Sequence, residues 1–271
     1  MTPNTTISIL GCGWLGLPLA QAFIQEDFTV KGSTTSADKL TQLTAAGIIP
    51  YLLPLPSPDN ITPDTAIFQC DILFIAIPPK VRSGKGDDYL AAMREMLPFI
   101  RQQAIAHVVF ISSTSVYGNV NGMITEETPA SPDTQSGHIL VAAEQLFAQE
   151  TSFTTTIIRF AGLAGPERHP GRFLAAKLNV PGGLLPVNLI HLTDCIGICK
   201  AIVQQQAFGH IFNACAPHHP TKKEFYQAAA VSAGLTPPTF TEEPCTGKTI
   251  SSIQLERLHY RFVVDNWFNW L

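Results

Sequence analysis

The chain has 271 residues, 45% of them hydrophobic and 14% charged, and a formal net charge of −4 at pH 7. That apolar content supports a sizeable core and excludes a disordered or highly charged coiled chain. No run of lysines or arginines offers a face to nucleic acid or an anionic membrane, and no stretch reaches the ~18 apolar residues of a membrane span.

Small molecules are therefore the expected partners, with no nucleic acid and no membrane, and the assembly expected is a monomer or homodimer. Met1 to Thr6 is polar, and the apolar run Ile7 to Leu10 is too short for a signal segment, so the cytoplasm is the expected compartment. In chain order, Thr5 to Gly11, Phe28 to Ser33, Asp71 to Pro79 and His107 to Ser112 read as strands. Helical patterns lie between them at Leu15 to Gln25, Ala37 to Ala46 and Asp87 to Gln103, and another follows at Gly137 to Gln149. This alternation predicts parallel βαβ units, and the continuously apolar runs Ile72 to Ile77 and His107 to Ser112 suit strands covered on both faces. The fold class expected is α/β, a Rossmann-type doubly wound parallel sheet.

After a strand at Thr154 to Phe160 the texture becomes turn-rich, in GLAGPERHPGRF (Gly162 to Phe173) and VPGGLLP (Val180 to Pro186). The expected division is a dinucleotide-binding domain over 1–165 and a smaller substrate lobe over 166–271, interleaved with the first. The lobe continues with a strand at Val187 to His191, a helix opening at Thr193 and Asp194, a strand at His210 to Cys215 and a helix capped by Thr221. The six cysteines, Cys12, Cys70, Cys195, Cys199, Cys215 and Cys245, form no CxxC pair. Reduced, packed thiols are expected and no metal is assigned; Cys195 and Cys199, one helical turn apart, lack a nearby third or fourth ligand.

The segment ISILGCGWLGLPLAQAF places Gly11, Gly13 and Gly16 as a GxGxxG between a strand and an amphipathic helix that opens at Trp14 and Leu15. In that context each glycine has a physical task. Gly11 permits the tight turn, Gly13 lets backbone approach a pyrophosphate, Gly16 lets helix pack on strand, and the helix N-terminus adds its positive dipole. At the end of strand two, where an acidic residue usually meets the ribose 2′-hydroxyl of NAD, stand Ser33, Thr34 and Thr35, with Lys39 beyond. Nothing there repels a 2′-phosphate, so NADP is the expected cofactor and NAD the alternative. Pro78 and Pro79, at the carboxyl edge of the sheet, are positioned to line the ribose and nicotinamide.

The run Ser112-Ser113-Thr114-Ser115-Val116-Tyr117-Gly118, the Thr128-Pro129 loop, Arg159 with Gly162 to Pro166, and LIHLTD (Leu189 to Asp194) extend over most of the chain. Together they resemble the extended short-chain dehydrogenase/reductases, the fold family of nucleotide-sugar epimerases and dehydratases. Within that family the chain is most similar to an atypical YeeZ-like subgroup, which pairs SSTSVYG with GPxRHPGRF. What the resemblance implies is hydride chemistry on a small or nucleotide-linked substrate, driven in active members by a Ser/Thr, a Tyr and a Lys. Anchored on Glu144, the tyrosine position falls on Ser136, the lysine position on Leu140, and the hydroxyl position on Ser113. Leucine cannot lower a phenol's pKa from about 10 or hold a ribose.

Ser113 and Tyr117 remain the catalytic candidates, with His138 as a titratable neighbour. Thr114, Arg168, His169, Arg172 and His191 are the candidate substrate contacts. The two guanidiniums of the loop suit a phosphate or carboxylate, so the expected substrate is anionic. Two functions stay open: an oxidoreductase, epimerase or dehydratase with an unconventional site, and a non-catalytic dinucleotide sensor acting through a protein partner.

Overall fold

The computed structural model describes residues 5–56, 64–79, 86–241 and 243–271. The chain opens with β1 (Thr6–Leu10), α1 (Gly16–Ile24), β2 (Thr29–Thr34), α2 (Leu40–Ala45) and β3 (Ile49–Leu52). Pro18 falls in the first turn of α1, where no intrahelical N–H is needed, and Leu19, Ala20 and Phe23 make its buried stripe. β4 (Ile72–Ile75), α3 (Gly86–Gln102), β5 (His107–Ser113) and a 3-10 turn (Thr114–Tyr117) follow, then β6 (Gly122–Ile124) and α4 (Gln135–Ala148). Thr134 caps α4 by accepting from the Gly137 N–H at 3.1 Å. The strand expected over Asp71 to Pro79 ends at Ile75, because Pro78 and Pro79 have no N–H to give a ladder and turn the chain out of the sheet.

The remainder runs β7 (Thr154–Phe160), β8 (Gly162–Ala164), α5 (Gly171–Leu174), β9 (Leu189–His191), α6 (Leu192–Gln204) and β10 (Ile211–Ala214). It ends with α7 (Lys222–Ser232), β11 (Lys248–Ile250), α8 (Ile253–Arg257) and α9 (Trp267–Trp270). Thr221 does cap α7, in a full capping box with Glu224.

Seven strands form one sheet in the order β10-β7-β5-β4-β1-β2-β3. The pairs β1–β2, β2–β3, β1–β4 and β4–β5 are parallel. This is the doubly wound Rossmann-type sheet read from the sequence. The order reverses between β1 and β4, so their carboxyl ends make the switch point where such sheets bind ligands.

The chain divides into two compact units, each assembled from three stretches: Met1–Ser112, Thr134–Ile158 and Cys199–Ile211 in one, Ser113–Asp133, Arg159–Ile198 and Phe212–Leu271 in the other. In the first, Phe23 packs against Phe28 and Phe74 at ring distances of 5.6 and 5.4 Å, and Phe110 stacks on Phe147 at 5.4 Å. In the second, Phe225 and Trp267, 5.8 Å apart, centre a core with Ala164, Val187, Leu189, Ala216 and Val264. Two small parallel ladders, β6–β11 and β8–β9, also belong to the second unit. Among the described residues no helix is long and apolar enough to cross a membrane.

Candidate functional site

The loop from β1 into α1 lies at the switch point. Gly11 has φ +94°, and a Cβ on it would meet the Ala76 carbonyl oxygen at 3.0 Å, so both backbone conformation and the crest of β4 require glycine. A Cβ on Gly16 would stand 2.3 Å from the Gly11 carbonyl oxygen, which is the close helix-to-loop approach that glycine permits. Around Gly13 the situation is opposite: a Cβ there has nothing within 4 Å. The chain therefore does not fill that space itself and leaves an open cradle over the Gly13 backbone. Trp14 is partly exposed and Leu15 buried as they lead into α1.

Beneath the cradle, the Ser33 hydroxyl accepts from the Gly11 N–H at 2.9 Å, and its carbonyl accepts from the Cys12 N–H at 2.8 Å. Thr34 Oγ1 accepts from the Ser36 N–H at 3.2 Å. Ser33 and Thr34 are buried and bind their own backbone, whereas Thr35 and Lys39 are exposed. The Cys12 thiol, packed against Gly32, is pushed up to about 12 by burial, so it stays protonated and inert. Pro78 is exposed and Pro79 partly so at the end of β4.

On β5 and α4, Ser112 donates to Glu144 Oε1 at 2.5 Å, both residues being buried. Glu144, Leu140 and Ser136 share one face of α4 at four-residue spacing, with Leu140 buried, Ser136 partly buried and His138 exposed.

The turn after β5 is held by its own Ser113 and by the side chains of Arg159 and Asn213. Ser113, half-buried, accepts from the Ser115 N–H at 3.2 Å through its hydroxyl oxygen. Its own O–H proton can be given to another acceptor. Thr114 is buried. Tyr117 is fully buried, donates to Asn213 Oδ1 at 2.7 Å and accepts from the Arg159 guanidinium at 2.8 Å. Burial raises the Tyr117 pKa, opposed by the charge of Arg159, so the phenol keeps its proton. Gly118 adopts φ +63°, and a Cβ there would lie 2.2 Å from the Ser131 carbonyl oxygen.

Arg168 and Arg172 are exposed on either side of Pro170, and Gly165 to Arg168 close a tight turn by a 3.0 Å backbone bond. His169 Nδ1 accepts from the Gly171 N–H at 3.2 Å, and its ring stacks on Trp270 at 5.5 Å. His191 is buried against Trp270 at 4.8 Å, its Nδ1 accepting from the Thr193 N–H at 3.2 Å. Burial lowers its pKa, with Asp194 acting in the opposite sense. His169, His191 and the arginine loop thus belong to one neighbourhood around Trp270, whose part the sequence did not disclose.

Sequence reading also missed Asn213 and Lys248. The first carried a signal: an asparagine within the apolar run IFNAC, facing a core, must have a polar partner.

Residues 9–215 match the family described as "NAD dependent epimerase/dehydratase family". "Protein YeeZ" of Escherichia coli K12 is 40% identical over 246 residues, covering 89% of each chain. A functionally unknown conserved protein from Silicibacter pomeroyi superposes with a TM-score of 0.78 at 24% identity, over 98% of this chain and 96% of that one. UDP-glucuronic acid 4-epimerase from Bacillus cereus, in complex with NAD, superposes with a TM-score of 0.77 at 16% identity, over 96% and 94%. At those identities the two structures establish likeness of fold. The matched family extends from β1 to the end of β10 and includes both the glycine cradle and the turn after β5. This chain belongs to the NAD-dependent epimerase/dehydratase family.

Proposed function

We propose that the protein is an NAD(P)-dependent oxidoreductase, epimerase or dehydratase of the atypical extended type, acting on a small or nucleotide-linked substrate with an anionic group. The observation that carries this reading is the cradle itself: Gly11 and Gly16 are sterically compelled, while the space over Gly13 is left open by the chain. The B. cereus neighbour, described in complex with UDP-glucuronic acid and NAD, supports the substrate class.

Each group then has a task. The β1–α1 loop holds the pyrophosphate, Pro78 and Pro79 line the ribose and nicotinamide, and Thr35 and Lys39 receive a 2′-phosphate, so NADP is preferred over NAD. A bound nicotinamide supplies the hydride acceptor or donor. Ser113, whose oxygen already accepts an amide proton, donates its O–H to a substrate oxygen, and a hydroxyl so engaged is the stronger donor. Tyr117, bound by Arg159 and Asn213, orients the turn that presents Ser113 and Thr114. Arg168 and Arg172 pair with the anionic group beside His169 and His191. Ser136 and Leu140 leave the family's tyrosine and lysine mechanism without its two central groups.

Calorimetric titration with NADP and NAD, followed by a turnover assay over UDP-sugars, tests the reading. NADP is expected to bind more tightly, and Gly13→Leu to abolish binding with the melting temperature unchanged. Failure of both dinucleotides to bind would refute the function; tighter NAD binding would refute only the cofactor preference.

A further inference from the structure

Lys248 reaches the turn after β5 from a distant part of the chain. Its Nζ donates to the Gly118 carbonyl oxygen at 2.5 Å and to the Thr114 carbonyl oxygen at 3.3 Å. These two carbonyls bracket the 3-10 turn Thr114–Tyr117, so one ammonium ties both ends of the segment that starts at Ser113. The lysine is itself placed rigidly. β11 pairs it with Gly122 of β6, and the Asn188 side chain donates to the Lys248 carbonyl at 2.8 Å while accepting from the Ile250 N–H at 2.8 Å.

We propose that Lys248 is a positioning residue for the Ser113–Gly118 turn, fixing where the Ser113 hydroxyl points through two charge-assisted bonds to backbone carbonyls. The inference rests on the reading that this turn serves the site. The physical case is that the other fastenings act elsewhere on the turn: the Ser113 side chain caps Ser115, Ser131 N–H binds the Val116 carbonyl, and Arg159 and Asn213 hold the Tyr117 hydroxyl. Only a donor with more than one N–H on a flexible stem can join two carbonyls of the same turn, and the lysine ammonium has three.

Burial lowers the Lys248 pKa, and the facing carboxylate of Asp133 acts in the opposite sense. The other charged groups beside the turn are committed to neighbours, Arg159 to Tyr117 and Glu126 to the backbone of Asn213, Ile253 and Gln254. The charge that ties the turn is consequently lost at alkaline pH before that of an ordinary lysine near 10.4.

Carbonyl ¹³C NMR of the full chain tests this without any substrate. In the wild type the Thr114 and Gly118 carbonyl shifts are expected to titrate together with the Lys248 side chain, below pH 10.4. In Lys248→Met the same shifts stay flat, and in Lys248→Arg they hold at their charged-state values throughout. Carbonyl shifts that ignore the lysine titration, or a Met variant with wild-type shifts at neutral pH, would overturn the inference whatever the protein catalyses. Should turnover be found, Lys248→Met is expected to lower kcat about tenfold with KM little changed, whereas absence of turnover bears on the proposed function alone.

Discussion

Glu167 sits at φ +63° in the third position of the Gly165–Arg168 turn, directly after Pro166. A left-handed third residue behind proline is the type II pattern, which glycine satisfies freely and a Cβ-bearing residue only with strain. Glu167→Gly is therefore expected to raise stability by about 0.5–1 kcal/mol in chemical denaturation, and a loss of stability would show that the glutamate side chain contributes more than its backbone costs. At this scale the sequence disclosed the residues with steric tasks, such as Gly11 and Gly16, since glycines so spaced between strand and helix answer to backbone crowding. It was less informative for Ser33 and Thr34. Their hydroxyls suggest a phosphate contact in the sequence, and only the fold reveals that both oxygens also accept from backbone N–H groups.

Among the elements, α9 packs through Trp270 on a buried histidine, His191. His218 Nδ1 accepts from the Trp267 N–H at 3.1 Å, and the rings of His191 and His169 hold Trp270. His191 and His169 likewise accept backbone N–H bonds through Nδ1, and for His191, whose pKa burial lowers, a proton would remove that acceptor. For His191, burial places the folded value below the ordinary 6.5, with Asp194 opposing. Its contribution is thus complete above pH 6.5 and is lost as pH falls through the lowered folded value. Tryptophan fluorescence of the wild type is expected to change over that acid range, and to change less in His191→Gln; identical profiles would show that His191 plays no part. Nothing in the sequence announced α9, a four-residue helix, or β6 and β11, three residues each and paired across more than a hundred positions. β3 escaped as well, because Ile49–Leu52 is short, lies at the sheet edge and contains Pro50. Long elements with strong periodicity, α1, α3, α4 and β5, were legible to within a few residues because local pattern alone specifies them.

On the scale of the molecule, the βαβ order dictates the doubly wound sheet, and with it the position of the cradle at the switch point. What local pattern cannot state is which distant segments close the second unit. Asp194 shows how this is done. Fully buried at the start of α6, it accepts from the Tyr260 hydroxyl at 2.9 Å, the Val263 N–H at 2.7 Å and the Val264 N–H at 3.0 Å. Asp194→Ala strands those donors and is expected to cost about 3 kcal/mol or more of unfolding free energy, with protease sensitivity appearing first after Tyr260. A cost below about 1 kcal/mol would mean that water replaces the carboxylate. The same carboxylate also sets a timetable. During synthesis every stretch of the first unit has been made once Ile211 is added, but Asp194 waits for Val264 before its bonds can close. A chain truncated before Tyr260 therefore lacks all three of these donors to Asp194 and is expected to leave the second unit unclosed.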